Sequence, residues 1–193
     1  NLNSVCESAA CPNRGECYSN GKVTFLILGS ICTRNCAYCK VDTGRPLPVD
    51  IGEPERVVTA AKELNLTYVV VTSVCRDDLT KGGATQFSRT ITALRNSDER
   101  LLVEVLIPDF KGSHEALETV LSARPAVVNH NIETVPRLYQ QLRPQGGYEW
   151  AIGLLKRAKS FSPDTPTKSG LMLGLGERNE EVVAVLQDLR RVG

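Results

Sequence analysis

Along the chain, short runs of β-branched and other apolar residues alternate with longer stretches whose apolar positions recur at helical spacing. Five runs have strand length and composition: Thr24–Gly29 (TFLILG), Thr67–Ser73 (TYVVVTS), Leu101–Ile107 (LLVEVLI), Ala126–Asn129 (AVVN) and Lys168–Leu173 (KSGLML). Amphipathic patterns over Pro54–Leu64, Thr85–Leu94, Ser113–Ala123, Thr134–Leu142, Tyr148–Ser160 and Glu180–Arg191 predict helices. Glu53-Pro54 suits a first helical turn, because proline lacks only an amide that the helix leaves unpaired. Asn179 is the expected N-cap of the last helix, with Glu180 and Glu181 near its positive end. Strands separated by helices predict right-handed βα units around a parallel sheet, and five such units curl into a partial barrel with an open side. Thr43–Gly52 is a Pro/Gly-rich loop, and no domain-scale linker occurs. The pattern stops just after the last helix, so one sheet edge is expected to stand exposed and the chain reads as unfinished.

Length and charge narrow the class. At 193 residues the chain is one domain with enough material for a core. A net charge of +1 gives no basic excess with which to neutralise phosphates, so nucleic acid is not an expected partner. The longest apolar runs fall far below the ~20 residues of a membrane span, and no signal segment opens the chain. Asn1 stands where an initiator Met would, which suggests trimming.

Seven cysteines are the unusual feature: Cys6, Cys11, Cys17, Cys32, Cys36, Cys39 and Cys75. Six lie in the first 39 residues and the long core-forming remainder holds one, which is not how a disulfide scaffold is distributed. Cys32-Thr-Arg-Asn-Cys36-Ala-Tyr-Cys39 is CxxxCxxC, with no fourth Cys or His nearby to close a zinc tetrahedron. Three close thiolates suit a cubane iron–sulfur cluster, one iron per thiolate, with the fourth iron left for a non-protein ligand. The triad follows the first predicted strand, at the carboxyl edge where α/β sheets bind ligands. Cys6, Cys11 and Cys17 form a second three-thiol group in a Pro/Asn/Gly-containing loop without a core of its own, so a bound cluster would order it. A zinc knuckle completed from elsewhere is the alternative for that group. His114 and His130 are too distant in sequence to be local ligands, and His130 reads as a hydrogen-bonded strand-end residue.

CxxxCxxC after the first strand of a βα series resembles the radical S-adenosylmethionine (SAM) superfamily. The CxxxxCxxxxxC group narrows the resemblance to the lipoyl synthase family. Further matching phrases are Cys32–Pro46 (CTRNCAYCKVDTGRP), Thr72–Ala84 (TSVCRDDLTKGGA), Leu106–Phe110 (LIPDF), Asn129–Thr134 (NHNIET), Arg143–Gln145 (RPQ) and Lys168–Glu177 (KSGLMLGLGE). The resemblance implies an α/β fold, a partial (β/α)6 TIM-type barrel over residues 23–193 with about five units present. An auxiliary-cluster segment over residues 1–22 precedes it. It implies two [4Fe–4S] clusters and SAM, with Cys32, Cys36 and Cys39 on the SAM cluster and Cys6, Cys11 and Cys17 on the auxiliary one. The implied reaction inserts two sulfurs, at carbons six and eight, into an octanoyl chain on a carrier-protein lysine. A SAM-derived radical removes hydrogen, and the auxiliary cluster donates sulfur and is consumed. Cofactors must carry this step, because no side chain breaks an unactivated C–H bond.

The expected partners are an octanoylated carrier protein (a lipoyl domain or H protein), an electron donor such as ferredoxin or flavodoxin, and iron–sulfur cluster assembly or carrier proteins. A reducing compartment is expected, cytoplasm or an organelle interior. For SAM, the strand-end residues Thr72, Ser73, Asn131 and Glu133 are the expected contacts, together with Lys168, Ser169, Gly170 and Met172 on the fifth strand. Glu133 suits two ribose hydroxyls; helix capping is the other use of Asn131 and Glu133. Met172 reads as an adenine contact or as core. Tyr38 is placed to cover the cluster edge or stack near adenine, and Arg45 and Arg143 to meet carboxylate or substrate groups. Two departures from the family pattern stand out. Cys75 occupies a position where the family usually has an acidic residue, and reads as a free, partly buried thiol, or else as part of an extra cluster or a redox thiol. The family's C-terminal Arg-Ser-Ser-Tyr motif, whose serine completes the auxiliary cluster, has no counterpart, so little or no lipoyl formation is expected from this chain alone. Another radical SAM enzyme with an auxiliary cluster, or a non-catalytic zinc-binding domain, is the competing reading.

Overall fold

A computed structural model describes residues 2–8 and 11–193. A two-residue strand β1 (Asn3–Ser4) and two short helices, α1 (Val5–Ser8) and α2 (Arg14–Ser19), precede the first long strand, β2 (Val23–Ile27). The cysteine-rich start, read from sequence as a loop, thus carries an edge strand and helical turns. β1 runs antiparallel to β2, with Asn3 opposite Leu26 and Ser4 opposite Phe25. Then come β3 (Ile31–Cys32), β4 (Asp42–Thr43), α3 (Glu53–Glu63), β5 (Tyr68–Ser73), α4 (Ala84–Ser97), β6 (Leu102–Leu106), α5 (His114–Leu121) and β7 (Val127–Asn129). The chain continues through α6 (Tyr139–Leu142), α7 (Tyr148–Phe161), β8 (Thr167–Lys168) and α8 (Asn179–Val192). The main sheet has the order β1-β2-β5-β6-β7-β8, with every pair after the first parallel. This is the βα succession that the alternation predicts, with β3 and β4 as a small separate parallel pair.

Strand alternation sorts side chains onto two faces. Val69, Val71, Val103, Val105 and Val128 are fully buried in one core with Val57, Phe87, Ile91 and Leu94 of α3 and α4. Full burial of Phe87 alone contributes about 1.5–3 kcal/mol. Its ring meets Phe110 edge-on, with centroids 6.3 Å apart. On the opposite face Glu104 joins Tyr68, Lys168 and Asn129 by hydrogen bonds. A second cluster, around Ile132, Val135, Tyr139, Leu155 and Val185, seats α8.

Three sequence expectations change. The strand expected over Lys168–Leu173 is only Thr167–Lys168, because its neighbour β7 is three residues long and offers no further ladder. Beyond it, a single isolated bridge joins Leu171 to Glu133. The helix expected over Thr134–Leu142 begins at Pro136 as a 3-10 turn, since Val135 before the proline is extended (φ −74°, ψ 154°). Finally, α8 is capped one residue earlier than expected. Arg178 is its N-cap, and the Glu181 carboxylate accepts from the Arg178 amide at 2.8 Å.

Candidate functional site

The edge at the carboxyl ends of the parallel strands carries the CxxxCxxC loop. β2 gives way to Leu28 and Gly29, both with positive φ (69° and 92°). That turn is clamped from two sides. The buried Glu53 carboxylate accepts from the Leu28 amide at 2.9 Å, and the buried Arg76 guanidinium donates to the Leu28 carbonyl at 3.2 Å. β3 then pairs with β4 and closes the base of the loop, and the Gly44 amide donates to the Cys32 carbonyl at 3.0 Å. The loop's far side is tied to the end of α6, where Ala37 N donates to Leu142 O at 2.9 Å.

Inside the loop, Arg34 is 2% exposed and forks onto two carboxylates. It meets Asp77 at 2.7 and 2.9 Å and Asp109 at 2.8 and 2.8 Å. Arg143 donates to Asp109 at 3.3 Å and to the Asn131 carbonyl at 3.2 Å. Two buried cations and two carboxylates therefore balance, with the bidentate geometry that makes such pairs strong. Burial works against ionisation of Asp109, but the Arg34 guanidinium holds it below the usual carboxylate range. Sequence reading did not single out Arg34, Asp77 or Asp109. The available signal was an arginine between cluster-type cysteines and aspartates just past two strand ends.

Cys32, Cys36 and Cys39 line one cleft together with Thr72, Ser73, Asn131 and Glu133. Tyr38, Cys75, His130 and Arg143 also face it. Lys168, Ser169, Gly170 and Met172 are not among the residues that line it. Lys168 Nζ donates to Glu104 at 2.9 Å, and Ser169 Oγ accepts from the Ile132 amide at 3.2 Å. Glu133 N donates to Gly170 O at 3.0 Å and Met172 N to Glu133 O at 2.9 Å, across a left-handed Glu133 (φ 69°). A Cβ at Gly170 would lie 2.9 Å from Asn131 Oδ1, so a larger residue there would push the Asn131 side chain aside. Ser169, Gly170 and Met172 thus brace the Asn131–Glu133 turn, while Lys168 is tied to Glu104. Arg45 does not line the cleft.

Electrostatics differ among the thiols. Cys32 is lowered to about 6, chiefly by the Cys75 thiol and also by the amides of Arg34 and Cys75, which donate to its sulfur at 3.4 and 3.3 Å. Burial pushes Cys36 up, and it likewise raises Glu133 and Tyr38. His130 is fully buried and lowered to about 4, first by burial and then by the nearby Arg143 charge. Its Nδ1 lies 2.7 Å from the Ile107 carbonyl, which makes Nδ1 the donor and leaves Nε2 an unpaired acceptor.

Cys6 is buried on α1, while Cys11 and Cys17 are partly buried. Residues 9 and 10, between Cys6 and Cys11, lie outside the described residues. The Cys17 carbonyl accepts from Lys22 at 2.8 Å, just before β2 begins. The second triad is therefore attached at the amino end of β2, opposite the CxxxCxxC loop, with the strand's ~3.3 Å per residue between them. All seven cysteines are free thiols, so a disulfide framework is absent among the described residues. No three His, Cys, Asp or Glu among the described residues converge tightly enough to grip one metal ion.

A profile of the radical SAM superfamily matches residues 26–189. The chain is 53% identical over 191 residues to the lipoyl synthase of Caldanaerobacter subterraneus subsp. tengcongensis, covering 99% of this chain and 67% of that protein. It is 52% identical over 193 residues to the lipoyl synthase of Pectobacterium carotovorum subsp. carotovorum, covering 100% and 60%. The chain thus spans about 60–67% of the length of these curated relatives. Among solved structures, the hydrogenase maturase HydG of Carboxydothermus hydrogenoformans is similar in fold at a TM-score of 0.69 and 18% identity, covering 89% of this chain and 40% of that one. Methylornithine synthase (PylB) is similar at 0.63 and 14% identity, covering 91% and 52%.

Proposed function

Because the chain belongs to the lipoyl synthase family of the radical SAM superfamily, we propose that its cleft is the radical-generating centre of sulfur insertion into a carrier-bound octanoyl chain. The observation that carries this reading is the convergence of Cys32, Cys36 and Cys39 with Asn131 and Glu133 on one cleft at the strand ends. The superfamily's cofactors are a [4Fe–4S] cluster and SAM, which supply a radical able to remove hydrogen from unactivated carbon.

The chain's own residues have defined tasks in this reading. Cys32, Cys36 and Cys39 hold the SAM cluster. Thr72, Ser73, Asn131 and Glu133 bind SAM, with Glu133 accepting from ribose hydroxyls and Arg143 presenting a guanidinium to a carboxylate. Ser169, Gly170 and Met172 position the Asn131–Glu133 turn. Leu106, Ile107 and Val74 give the cleft an apolar wall that keeps water from the reacting carbon. Cys6, Cys11 and Cys17 hold the auxiliary cluster, the proposed sulfur donor, at the other end of β2. Two separate triads suit that division, since one cluster cannot both bind SAM and lie beside the target carbon. The partners in this reading are an octanoylated carrier protein, a low-potential electron donor such as ferredoxin or flavodoxin, and cluster-assembly proteins.

The test is anaerobic reconstitution with iron and sulfide, followed by SAM, a reductant and an octanoyl-lysine peptide. SAM cleavage is expected in the native chain and at least a hundredfold less, on the order of what loss of a catalytic group costs, in Cys36→Ala. Mass spectrometry reads sulfur gain by the peptide. Replacing Cys6, Cys11 and Cys17 by Ala is expected to spare SAM cleavage and abolish any sulfur gain. Cleavage that survives Cys36→Ala sinks the cluster assignment. Sulfur gain that survives loss of the second triad sinks the donor assignment.

A further inference from the structure

We propose that Glu104, tied to Lys168, Tyr68 and Asn129, forms a polar floor beneath the cleft that limits how deep an acyl chain reaches and so selects its length. The inference deepens the octanoyl reading and rests on it. Strand alternation places these groups below the cleft. Thr72 of β5 and Leu106 of β6 line the cleft, whereas Val71 and Val105, their neighbours along the strands, point into the helix-covered core. Glu104 lies two residues before Leu106 on the same face, ~7 Å deeper at ~3.3 Å per residue. Its carboxylate is buried and accepts from Lys168 Nζ at 2.9 Å, from Asn129 Nδ2 at 3.4 Å and from the Tyr68 hydroxyl. The donors come from three other strands, since Tyr68 begins β5, Asn129 ends β7 and Lys168 ends β8. Two residues further down the same face, Leu102 is 51% exposed, so the Glu104 layer divides the cleft from solvent at the strands' amino ends.

An alkyl chain gains affinity as it lengthens, about fourfold for each methylene that leaves water. The gain continues only while the surface it meets is apolar, as Val74, Leu106 and Ile107 are at the cleft wall. At Glu104 it stops. Passing this layer means parting the carboxylate from Lys168, and an uncompensated buried charge costs about a hundredfold or more in an equilibrium constant. Three further methylenes do not recover that loss.

The experiment measures, by fluorescence anisotropy, the binding of lysine peptides carrying hexanoyl, octanoyl, decanoyl or dodecanoyl chains. The reconstituted chain is used with SAM and without reductant, so that binding is read and not turnover. Native affinity is expected to rise about fourfold per methylene from hexanoyl to octanoyl and to stay level or fall beyond. In the double variant Glu104→Leu, Lys168→Leu the rise is expected to continue, with decanoyl binding about tenfold tighter than octanoyl. Glu104→Gln keeps a polar floor and is expected to retain the native break. A native affinity that climbs steadily to dodecanoyl overturns the proposal, as does a break that the double variant leaves in place. Loss of the break in Glu104→Gln as well would assign it to general loosening and overturn the floor. Should the double variant fail to fold by circular dichroism, Lys168→Leu decides, because that side chain is more than half exposed. Its decanoyl-to-octanoyl affinity ratio must then exceed the native ratio by about threefold, just under the value of one methylene. A native chain that binds none of the four peptides overturns the octanoyl reading itself, which separates that failure from this one.

Discussion

His130 shows how burial turns one side chain into a fixed chemical species. Its ring is fully buried, Nδ1 is committed to the Ile107 carbonyl, and the folded pKa is lowered to about 4 from 6.5. The folded state therefore binds fewer protons than the unfolded state between those values. His130's contribution is fully present above pH 6.5 and is lost as pH falls toward 4. At about 1.36 kcal/mol per unit, the loss approaches ~3 kcal/mol. Glu133, raised by burial, works in the opposite sense and partly masks the effect. The measurement is urea unfolding of the native chain and His130→Asn from pH 7 to pH 4. The native advantage over the variant should shrink by that amount, and an unchanged difference would refute the neutral, buried assignment. The two cysteine triads proposed as cluster ligands stood out in the sequence because their spacing is local. Asn131 and Glu133 were legible because strand ends of α/β sheets face ligands. That Ser169, Gly170 and Met172 brace the Asn131–Glu133 turn depends on bonds between loops, which no periodicity encodes.

At the scale of elements, the most constrained joint is the entry to α4. Gly83 has φ +90°, and a Cβ there would collide with the Leu28 side chain at the end of β2. Helix start, cluster turn and core meet at that point, because Glu53 at the start of α3 caps Leu28 from the other side. Gly83→Ala is expected to destabilise the chain by about 2–4 kcal/mol, combining backbone strain with overpacking. Chemical denaturation reads this directly, and a change under 0.5 kcal/mol would mean that the joint relaxes freely. The strand and helix pattern was legible over most of the chain, since α3, α4, α5, α7 and α8 each have an apolar stripe at helical spacing. It misled where tertiary pairing decides. Lys168–Leu173 has strand composition but no neighbour to pair with after β7 ends. Thr134–Leu142 has the spacing of a helix, but Pro136 delays its start.

For the molecule as a whole, the Arg34–Asp77–Asp109–Arg143 network joins segments far apart in sequence. It links the cysteine loop, the loops after β5 and β6, and the end of α6. Removing one partner leaves buried charge uncompensated. Arg34→Met is expected to lose about 3–5 kcal/mol of stability by urea unfolding. Arg34→Lys should recover less than half, because an ammonium cannot fork onto two carboxylates. A loss below ~1 kcal/mol would show that the network's attraction only offsets its desolvation. No helix among the described residues is long and apolar enough to cross a membrane.

The sequence by itself determined the βα succession, the parallel sheet and the spacing of the two cysteine triads. Each of these is a local signal: side-chain periodicity follows backbone geometry, and close ligand spacing follows from a loop wrapping one cofactor. Only the tertiary structure decided which residues stand together. It placed the two triads at opposite ends of β2, set Cys75 against Cys32, and built a buried ion network from residues 34, 77, 109 and 143. Such neighbours are brought together by packing and charge balance across strand ends, and their partners are not encoded at any fixed interval along the chain.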